Sequence, residues 1–364
     1  MSPDAPLLEL QQIQVAYGDQ TVLDLEQFQL ARGDSVVLLG HNGSGKSTLL
    51  RVMGLLKQPS RGRVLLDGRP VPRRGRGLLR ARRRFASVLQ EPLLCRTTVF
   101  KNVAQGLRFR RLPKPEIERR VGRWMEALRI SHLRERNADT LSGGEAQRTS
   151  VARAMAVDPE LLLLDEPFAA LDAPTRAALM IDFRSALEGS PTAAVFATHD
   201  RNEALAIADR VAVLSAGRLL QAGAPEEVFG RPASEEVARF VGTETLIAGR
   251  ASSVRDGVVE VETEVGLLHV ADTAVAGPVF VCIRPENVLL QATADRPRQS
   301  ARNTLSGRVL RIRKMEWHLQ VTVDCGTPVT ALITRSALEE LEISEGTKVW
   351  AIFKATAAHL IPRR

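Results

Sequence analysis

Gly40-His41-Asn42-Gly43-Ser44-Gly45-Lys46-Ser47 stands between the apolar run Ser35-Val-Val-Leu-Leu-Gly40 and the helical pattern Ser47-Thr-Leu-Leu-Arg-Val-Met-Gly-Leu-Leu56. An apolar strand feeding a glycine-rich turn and then a helix is the context in which G-x-x-x-x-G-K-[ST] cradles phosphates. The glycines let backbone N–H groups converge on an anion, the helix N-terminus adds a favourable partial charge, and the lysine reaches the terminal phosphates. Gly40, His41, Asn42, Gly43, Ser44, Gly45, Lys46, Ser47 and Thr48 are therefore the expected ATP-binding residues, with the Ser47 hydroxyl on Mg²⁺.

Further along, Leu161-Leu-Leu-Leu-Asp165-Glu166-Pro167 reads as a buried strand ending in two carboxylates. Asp165 is expected to hold Mg²⁺ through water. Glu166, thrown to the opposite face by the side-chain period of two, is expected to orient and deprotonate the attacking water. Between these motifs, Ser142, Gly143 and Gly144 precede the helical run Glu145-Ala-Gln-Arg-Thr-Ser-Val-Ala-Arg. This is a second phosphate-type helix start in a chain with one phosphate-loop lysine. A plain serine N-cap followed by glycines would look the same.

With Leu141-Ser-Gly-Gly-Glu145 between the two phosphate motifs, the sequence resembles the ABC-transporter ATPases over its first 240 residues or so. The resemblance implies an α/β P-loop NTPase fold with a helical subdomain and a homodimer in which Leu141, Ser142, Gly143, Gly144 and Glu145 complete the ATP site of the opposing subunit. It also implies that Tyr17, in Val15-Ala-Tyr-Gly-Asp19, stacks on adenine. Gln90 would sense Mg²⁺ and the attacking water while facing a membrane partner, His199 would contact the γ-phosphate, and Asp172 would communicate across the dimer. Lys46, Gln90, Glu166 and His199 form the implied catalytic set. Two departures touch no catalytic group: Ala146, where glutamine is commoner, and Ala169-Ala170, where Ser-Ala is usual.

From residue 7 to about 242, short apolar runs alternate with longer helical patterns, which argues for a parallel sheet with crossover helices. The stretch 91–158 reads as an inserted helical subdomain. From 243 to 364 the pattern changes to short alternating strands with turn glycines, expected to form an all-β, OB-like barrel. It is internally duplicated: Ile247-Ala-Gly-Arg250 recurs as Leu305-Ser-Gly-Arg308, and Val279-Phe-Val-Cys-Ile-Arg284 as Val349-Trp-Ala-Ile-Phe-Lys354. Half-modules are expected at 244–291 and 300–362, joined by the polar link 292–299.

Val281–Leu290 looks like the TOBE barrel of solute-importer ATPases. Ser300-Ala-Arg-Asn303 and Ile352-Phe-Lys-Ala-Thr-Ala-Ala-His-Leu-Ile361 resemble the Mop fold of molybdate-binding proteins. By that resemblance Ser300, Arg302, Lys354, Ala355 and Thr356 would hold a tetrahedral oxyanion; alternatively the module only dimerises. The resemblance as a whole implies the energy-coupling ATPase of a molybdate/tungstate-type importer, with membrane permease subunits and, indirectly, a substrate-binding protein as partners. An importer for another solute, whether sulfate, sugar, polyamine or metal, is the alternative.

The 364 residues, 44% hydrophobic and 25% charged, are enough for two domains. No basic n-region precedes an apolar run at the amino terminus, and no apolar stretch reaches the roughly 18 residues of a membrane span. The expected place is the cytoplasmic face of the membrane, held peripherally. Cys95, Cys282 and Cys325 lie far apart, without metal-ligand spacing, and are expected to be reduced and mostly buried. The net charge of +8 would suit a soluble ABC ATPase acting on nucleic acid. Such chains carry twin cassettes or a long coiled-coil insertion, so no nucleic-acid partner is expected. The excess charge gathers in Arg69–Phe85, where it forms a solvated face or meets anionic lipid or a partner.

Overall fold

The chain enters the fold through an antiparallel hairpin, where a single parallel sheet was expected. Its strands β1 (Leu8–Tyr17) and β2 (Gln20–Leu30) pair Leu8 with Leu30 and Tyr17 with Gln20 across the Gly18-Asp19 turn. Strand β3 (Ser35–Leu39), buried at every position, leads through residues 40–45 into α1 (Lys46–Met53). Strands β4 (Arg61–Leu66) and β5 (Arg69–Pro70) then extend the hairpin to a four-stranded sheet of order β2-β1-β4-β5. A computed structural model provides this architecture and describes residues 5–188, 190–242, 245–272, 277–292, 300–315 and 317–363.

Helix α2 (Gly75–Arg82) and strand β6 (Phe85–Val88) come next. The expected helical insert follows as α3 (Val99–Phe109), α4 (Lys114–Ala127) and α5 (Gly143–Met155). On α4, Ile117, Val121, Trp124 and Met125 recur at helical spacing and are buried. Strand β7 (Leu161–Asp165), α6 (Ala173–Leu187), β8 (Ala193–Thr198), α7 (Arg201–Ile207), β9 (Arg210–Ser215) and β10 (Arg218–Gly223) complete the unit. The second sheet has the order β10-β9-β3-β8-β7-β6, parallel except for β10. Apolar residues of both sheets and of α1 bury one another in a single cluster, and Phe183 of α6 meets Phe196 of β8 edge-on at 5.1 Å. The phosphate loop thus springs from the middle of a fully packed sheet.

The chain divides into two compact units between Pro225 and Glu226, earlier than the boundary expected at 242/243. Helices α8 (Pro225–Gly230) and α9 (Glu235–Val241) read as part of the alternating α/β pattern. Ala238 of α9 is nevertheless buried against Cys282 and Ile361, so its apolar face belongs to the second unit.

That unit contains β11 (Thr245–Arg255), β12 (Val258–Thr263), β13 (Gly266–Ala271), β14 (Gly277–Ile283) and β15 (Leu289–Gln291). A matching series follows: β16 (Asn303–Lys314), β17 (Leu319–Asp324), β18 (Pro328–Ile333), the short α10 (Arg335–Glu340), β19 (Lys348–Phe353) and β20 (Ala358–Pro362). The two series exchange their last strands. The sheet orders are β13-β12-β11-β14-β20 and β15-β19-β16-β17-β18. Gly249 and Gly307, the repeated glycines, occupy equivalent places, where a Cβ would lie 2.7 Å from the Glu262 carbonyl and 2.3 Å from that of Asp324. Each half also braces the other. Thr245 Oγ1 accepts from Thr330 N at 3.0 Å, while the Asn303 amide accepts from His269 N and donates to His269 O at 2.7 and 2.8 Å.

Apart from Ala292, the polar link lies outside the described residues. Burial pushes the thiols of Cys282 and Cys325 up to about 12 and about 11, but Cys95 is exposed, contrary to expectation.

Candidate functional site

Three glycine requirements shape the phosphate loop. A Cβ on Gly40 would stand 2.4 Å from the Leu214 carbonyl, while Gly43 and Gly45 take φ of +82° and +103°, the left-handed region that favours glycine. Gly45 starts α1 without any side-chain cap, so the first N–H groups of that helix keep their donor capacity for an anion. Inside the loop the Ser44 hydroxyl is buried with no hydrogen-bond partner. A phosphate oxygen would supply the missing acceptor.

Lys46, only 5% exposed, donates from Nζ to the carbonyls of Gly40 at 2.7 Å and His41 at 3.1 Å. Burial lowers its pKa, opposed by the charges of Glu166 and Asp165. Ser47 Oγ donates to Asp165 Oδ1 at 3.0 Å. These two oxygen donors, one neutral and one charged, suit Mg²⁺, which takes few protein oxygens and completes its shell with phosphate and water.

Glu166 does not follow the strand alternation expected of it. The strand ends at Asp165 and Glu166 turns away with φ +44°, which brings its carboxylate toward Lys46 and His199. There Oε1 lies 3.9 Å from Lys46 Nζ, and Oε2 lies 3.2 Å from His199 Nδ1. Strain of this kind persists where the surroundings impose it, and Glu166 N is fixed by the Ala197 carbonyl at 2.9 Å. Lys46, Ser47, Asp165, Glu166 and His199 thus form one connected group.

Arg176, absent from the sequence-based candidates, binds the residues that follow His199. It lies 3.2 Å from Asp200 and 3.8 Å from Glu203, and reaches the Leu171 carbonyl at 3.4 Å. Glu203 is buried, which raises its pKa, and accepts from Thr198 Oγ1 at 2.7 Å. The loop around His199 is therefore tied to the start of α6. Only tertiary proximity reveals this, since an isolated arginine three residues into a helix carries no sequence signal.

Asp172 is the N-cap of α6, accepting from both the amide and the hydroxyl of Thr175 at 2.9 Å. Ser142 caps α5 in a reciprocal box: its Oγ accepts from Glu145 N at 3.3 Å, and its own N–H donates to the Glu145 carboxylate at 2.8 Å. A Cβ on Gly144 would lie 2.6 Å from Thr175 Cγ2, so α5 begins close against α6. Leu141–Glu145 make no hydrogen bond or ion pair with the phosphate loop among the described residues. Gln90 is exposed at the end of β6, and Tyr17 is half-exposed with Lys57 Nζ 4.3 Å from its ring centre.

In the second unit, Asn303 pairs with Phe353, so the exposed Arg302 and Lys354 flank one end of the same ladder. Ser300 is exposed and Ala355 buried. Thr356 lines a cavity of about 460 Å³ together with Arg231, Arg284, Asn287 and His359. Arg284 occupies the place in the first half that Lys354 occupies in the second, a correspondence already visible in the repeat. Burial lowers the pKa of His359, partly offset by Asp272.

With this geometry in hand, comparison with known proteins gives consistent answers. Residues 23–169 match the ABC transporter family and residues 299–360 the TOBE domain. The TOBE match falls on the half read as Mop-like and not on Val281–Leu290. A molybdate/tungstate import ATP-binding protein of Pyrococcus horikoshii is 40% identical over 90% of this chain and 92% of its own. A sulfate/thiosulfate import ATP-binding protein of Thermosynechococcus vestitus is 35% identical over 86% of this chain and 87% of its own. Among solved structures, cbiO1 from Clostridium perfringens, part of the ABC transporter complex cbiONQ, superposes with a TM-score of 0.59 at 30% identity, covering 66% of this chain and 96% of that one.

Proposed function

The chain belongs to the ABC transporter ATP-binding proteins, and from that premise we propose that it drives an importer for molybdate- or tungstate-type oxyanions. Family membership carries ATP binding and ATP hydrolysis coupled to transport. The substrate reading rests on the Pyrococcus relative, which matches along nearly the whole length of both chains. The cluster of Lys46, Ser47, Asp165, Glu166 and His199 is the observation that carries the catalytic assignment.

In this reading Lys46 and the uncapped α1 N-terminus bind the phosphates, and Ser47 with Asp165 would hold Mg²⁺, whose charge would offset that of the phosphates. Glu166 orients a water, oriented itself by His199, and takes its proton as the water oxygen attacks the terminal phosphorus and the bond from that phosphorus to the β-phosphate oxygen breaks, releasing ADP and inorganic phosphate. Gln90, exposed at the end of β6, senses that step and faces the permease, and Tyr17 stacks on adenine. Two copies dimerise, Ser142–Gly144 of each closing the site of the other and Asp172 lying at their contact. The subunit sits peripherally on the cytoplasmic face of the membrane, served by permease subunits and a substrate-binding protein. Among the described residues no helix is long and apolar enough to cross a bilayer.

Glu166→Gln tests the catalytic assignment. ATP binding should persist while turnover falls by about 10²–10⁴-fold; turnover within a few-fold of wild type removes Glu166 as the base. For the second unit we propose that Ser300, Arg302, Lys354, Ala355 and Thr356 contribute to a regulatory oxyanion site in which the guanidinium and ammonium supply charge and the hydroxyls supply directed donors. Calorimetric titration of the full chain with molybdate, tungstate and sulfate should give heat that Arg302→Ala and Lys354→Ala abolish. No heat with any of the three removes the site. The sulfate/thiosulfate relative is the reason for including sulfate among the oxyanions.

A further inference from the structure

The structure carries one strongly charged surface that nucleotide chemistry does not use. Arg69–Phe85 contains eight arginines and no acid, and the 50 basic and 42 acidic residues of the whole chain differ by that same number. Two of the eight are engaged: Arg84 bridges Asp67 and Glu160, and Arg82 donates to the Leu55 carbonyl at 2.7 and 3.0 Å. Arg69, Arg73, Arg74, Arg76, Arg80 and Arg83 are exposed and have no side-chain partner among the described residues.

Helix α2 organises them. Ala81 is buried and Leu78 packs on the core, so Arg76, Leu79, Arg80 and Arg83, spaced at three and four residues, form the outward stripe. Leu79 is 52% exposed in the middle of it. The helix begins at Gly75 after Arg73 and Arg74, with no acid in its first turn and no side-chain cap. Three guanidinium groups therefore crowd the positive end of the helix dipole, and like charges recur one turn apart. Both arrangements are self-repelling, and both are relieved by an anionic counter-surface. Beside the stripe a notch of about 130 Å³ opens, walled by Leu55, Pro59, Val64, Val71 and Leu78 and bordered by Arg73.

We infer that this face docks on anionic phospholipid headgroups. Charge complementarity selects an anionic partner, and the exposed Leu79 with the adjoining apolar notch selects one with an apolar layer beneath its charges. A nucleic-acid backbone would gain nothing from Leu79, and the only aromatic residue of the run, Phe85, is buried and offers no base a stacking platform. The inference leans on the peripheral membrane placement proposed above, and its test is independent of ATP turnover.

The test sediments the purified full chain with vesicles of phosphatidylcholine alone and of phosphatidylcholine mixed with phosphatidylglycerol. Binding is expected only to the anionic vesicles and should weaken as salt rises. Substituting Arg76, Arg80 and Arg83 together by Gln should weaken it at least about tenfold while leaving ATP turnover in solution at the wild-type rate. Leu79→Ser should produce a smaller loss, and soluble glycerol phosphate should not compete. Equal binding to neutral vesicles, unaltered binding by the triple variant, or tight binding of duplex RNA without vesicle binding would each overturn the inference. Loss of ATP turnover in the triple variant with vesicle binding intact would also overturn it, since the face would then serve the motor.

Discussion

Two helix starts in the first unit share a glycine-rich approach and differ in what satisfies their N–H groups. Helix α1 begins at Gly45 in a left-handed conformation with no side-chain cap, over a buried lysine and a buried, unpartnered Ser44 hydroxyl. Helix α5 begins at Ser142, capped reciprocally by its own Glu145 and exposed. The first is incomplete without an anion. The second is complete as a helix, yet because its Ser142 oxygen accepts from Glu145 N, the hydroxyl proton remains free to donate outward. Under the proposed dimer the first is a site the chain owns, with donors left open within a shaped pocket, and the second is one it lends, standing in water until a partner arrives.

The largest test of this contrast mixes two defective chains. Lys46→Ala and Ser142→Ala should each reduce turnover by about 10²-fold or more. Mixed dimers place both defects in one site and leave the other whole, so activity should recover to at most about a quarter of wild type. No recovery, with mixed dimers demonstrated by pull-down, breaks the shared-site arrangement.

A glycine pair separates folding from function. Gly45→Ala forces a Cβ into φ +103° only 3.1 Å from the Val22 carbonyl and should cost about 1–3 kcal/mol in thermal stability along with ATP binding. Gly143 has open space around it, so Gly143→Ala should leave stability within about 0.5 kcal/mol and ATP binding intact, while turnover drops. Similar melting temperatures for the two variants would erase the distinction.

The smallest effect lies in the scaffold below both helix starts. The hydrogen bond from Arg84, then that from Arg32, holds the Glu160 carboxyl below its ordinary pKa. A depressed carboxylate pKa contributes stability above the unfolded pKa of about 4.3 and loses it as pH falls through the folded value. With Glu160 more than a third exposed, Glu160→Gln should cost under about 1 kcal/mol at pH 7, and the difference from wild type should vanish on acidification. A gap that widens at low pH would reverse the sign.

The glycine-rich turn at 40–47, the serine cap at 142 and the strand end at Asp165 are local features of backbone geometry, which a short stretch of sequence can carry, whereas the role of His199 came only from the resemblance to the ABC-transporter ATPases. The helical insert was legible from apolar spacing, and the duplication of the second unit from repeated glycines that the packing requires. The antiparallel sheet of β1, β2, β4 and β5 was not, because β1 pairs with β4 across the intervening β3 and α1, a partnership that no local spacing records. Helix α9 follows the alternating α/β pattern yet falls in the second unit, because an apolar face does not say which neighbour it will bury against.

Sequence by itself therefore determined the nucleotide-binding chemistry and the order of the elements, which follow from local preferences and short spacings. Tertiary structure alone decided that Glu166 turns toward Lys46 and His199, that Arg176 ties the His199 loop to α6, and that the two halves of the second unit exchange β15 and β20. These depend on which distant segments meet, and chain connectivity leaves that open until side chains compete for the same buried space.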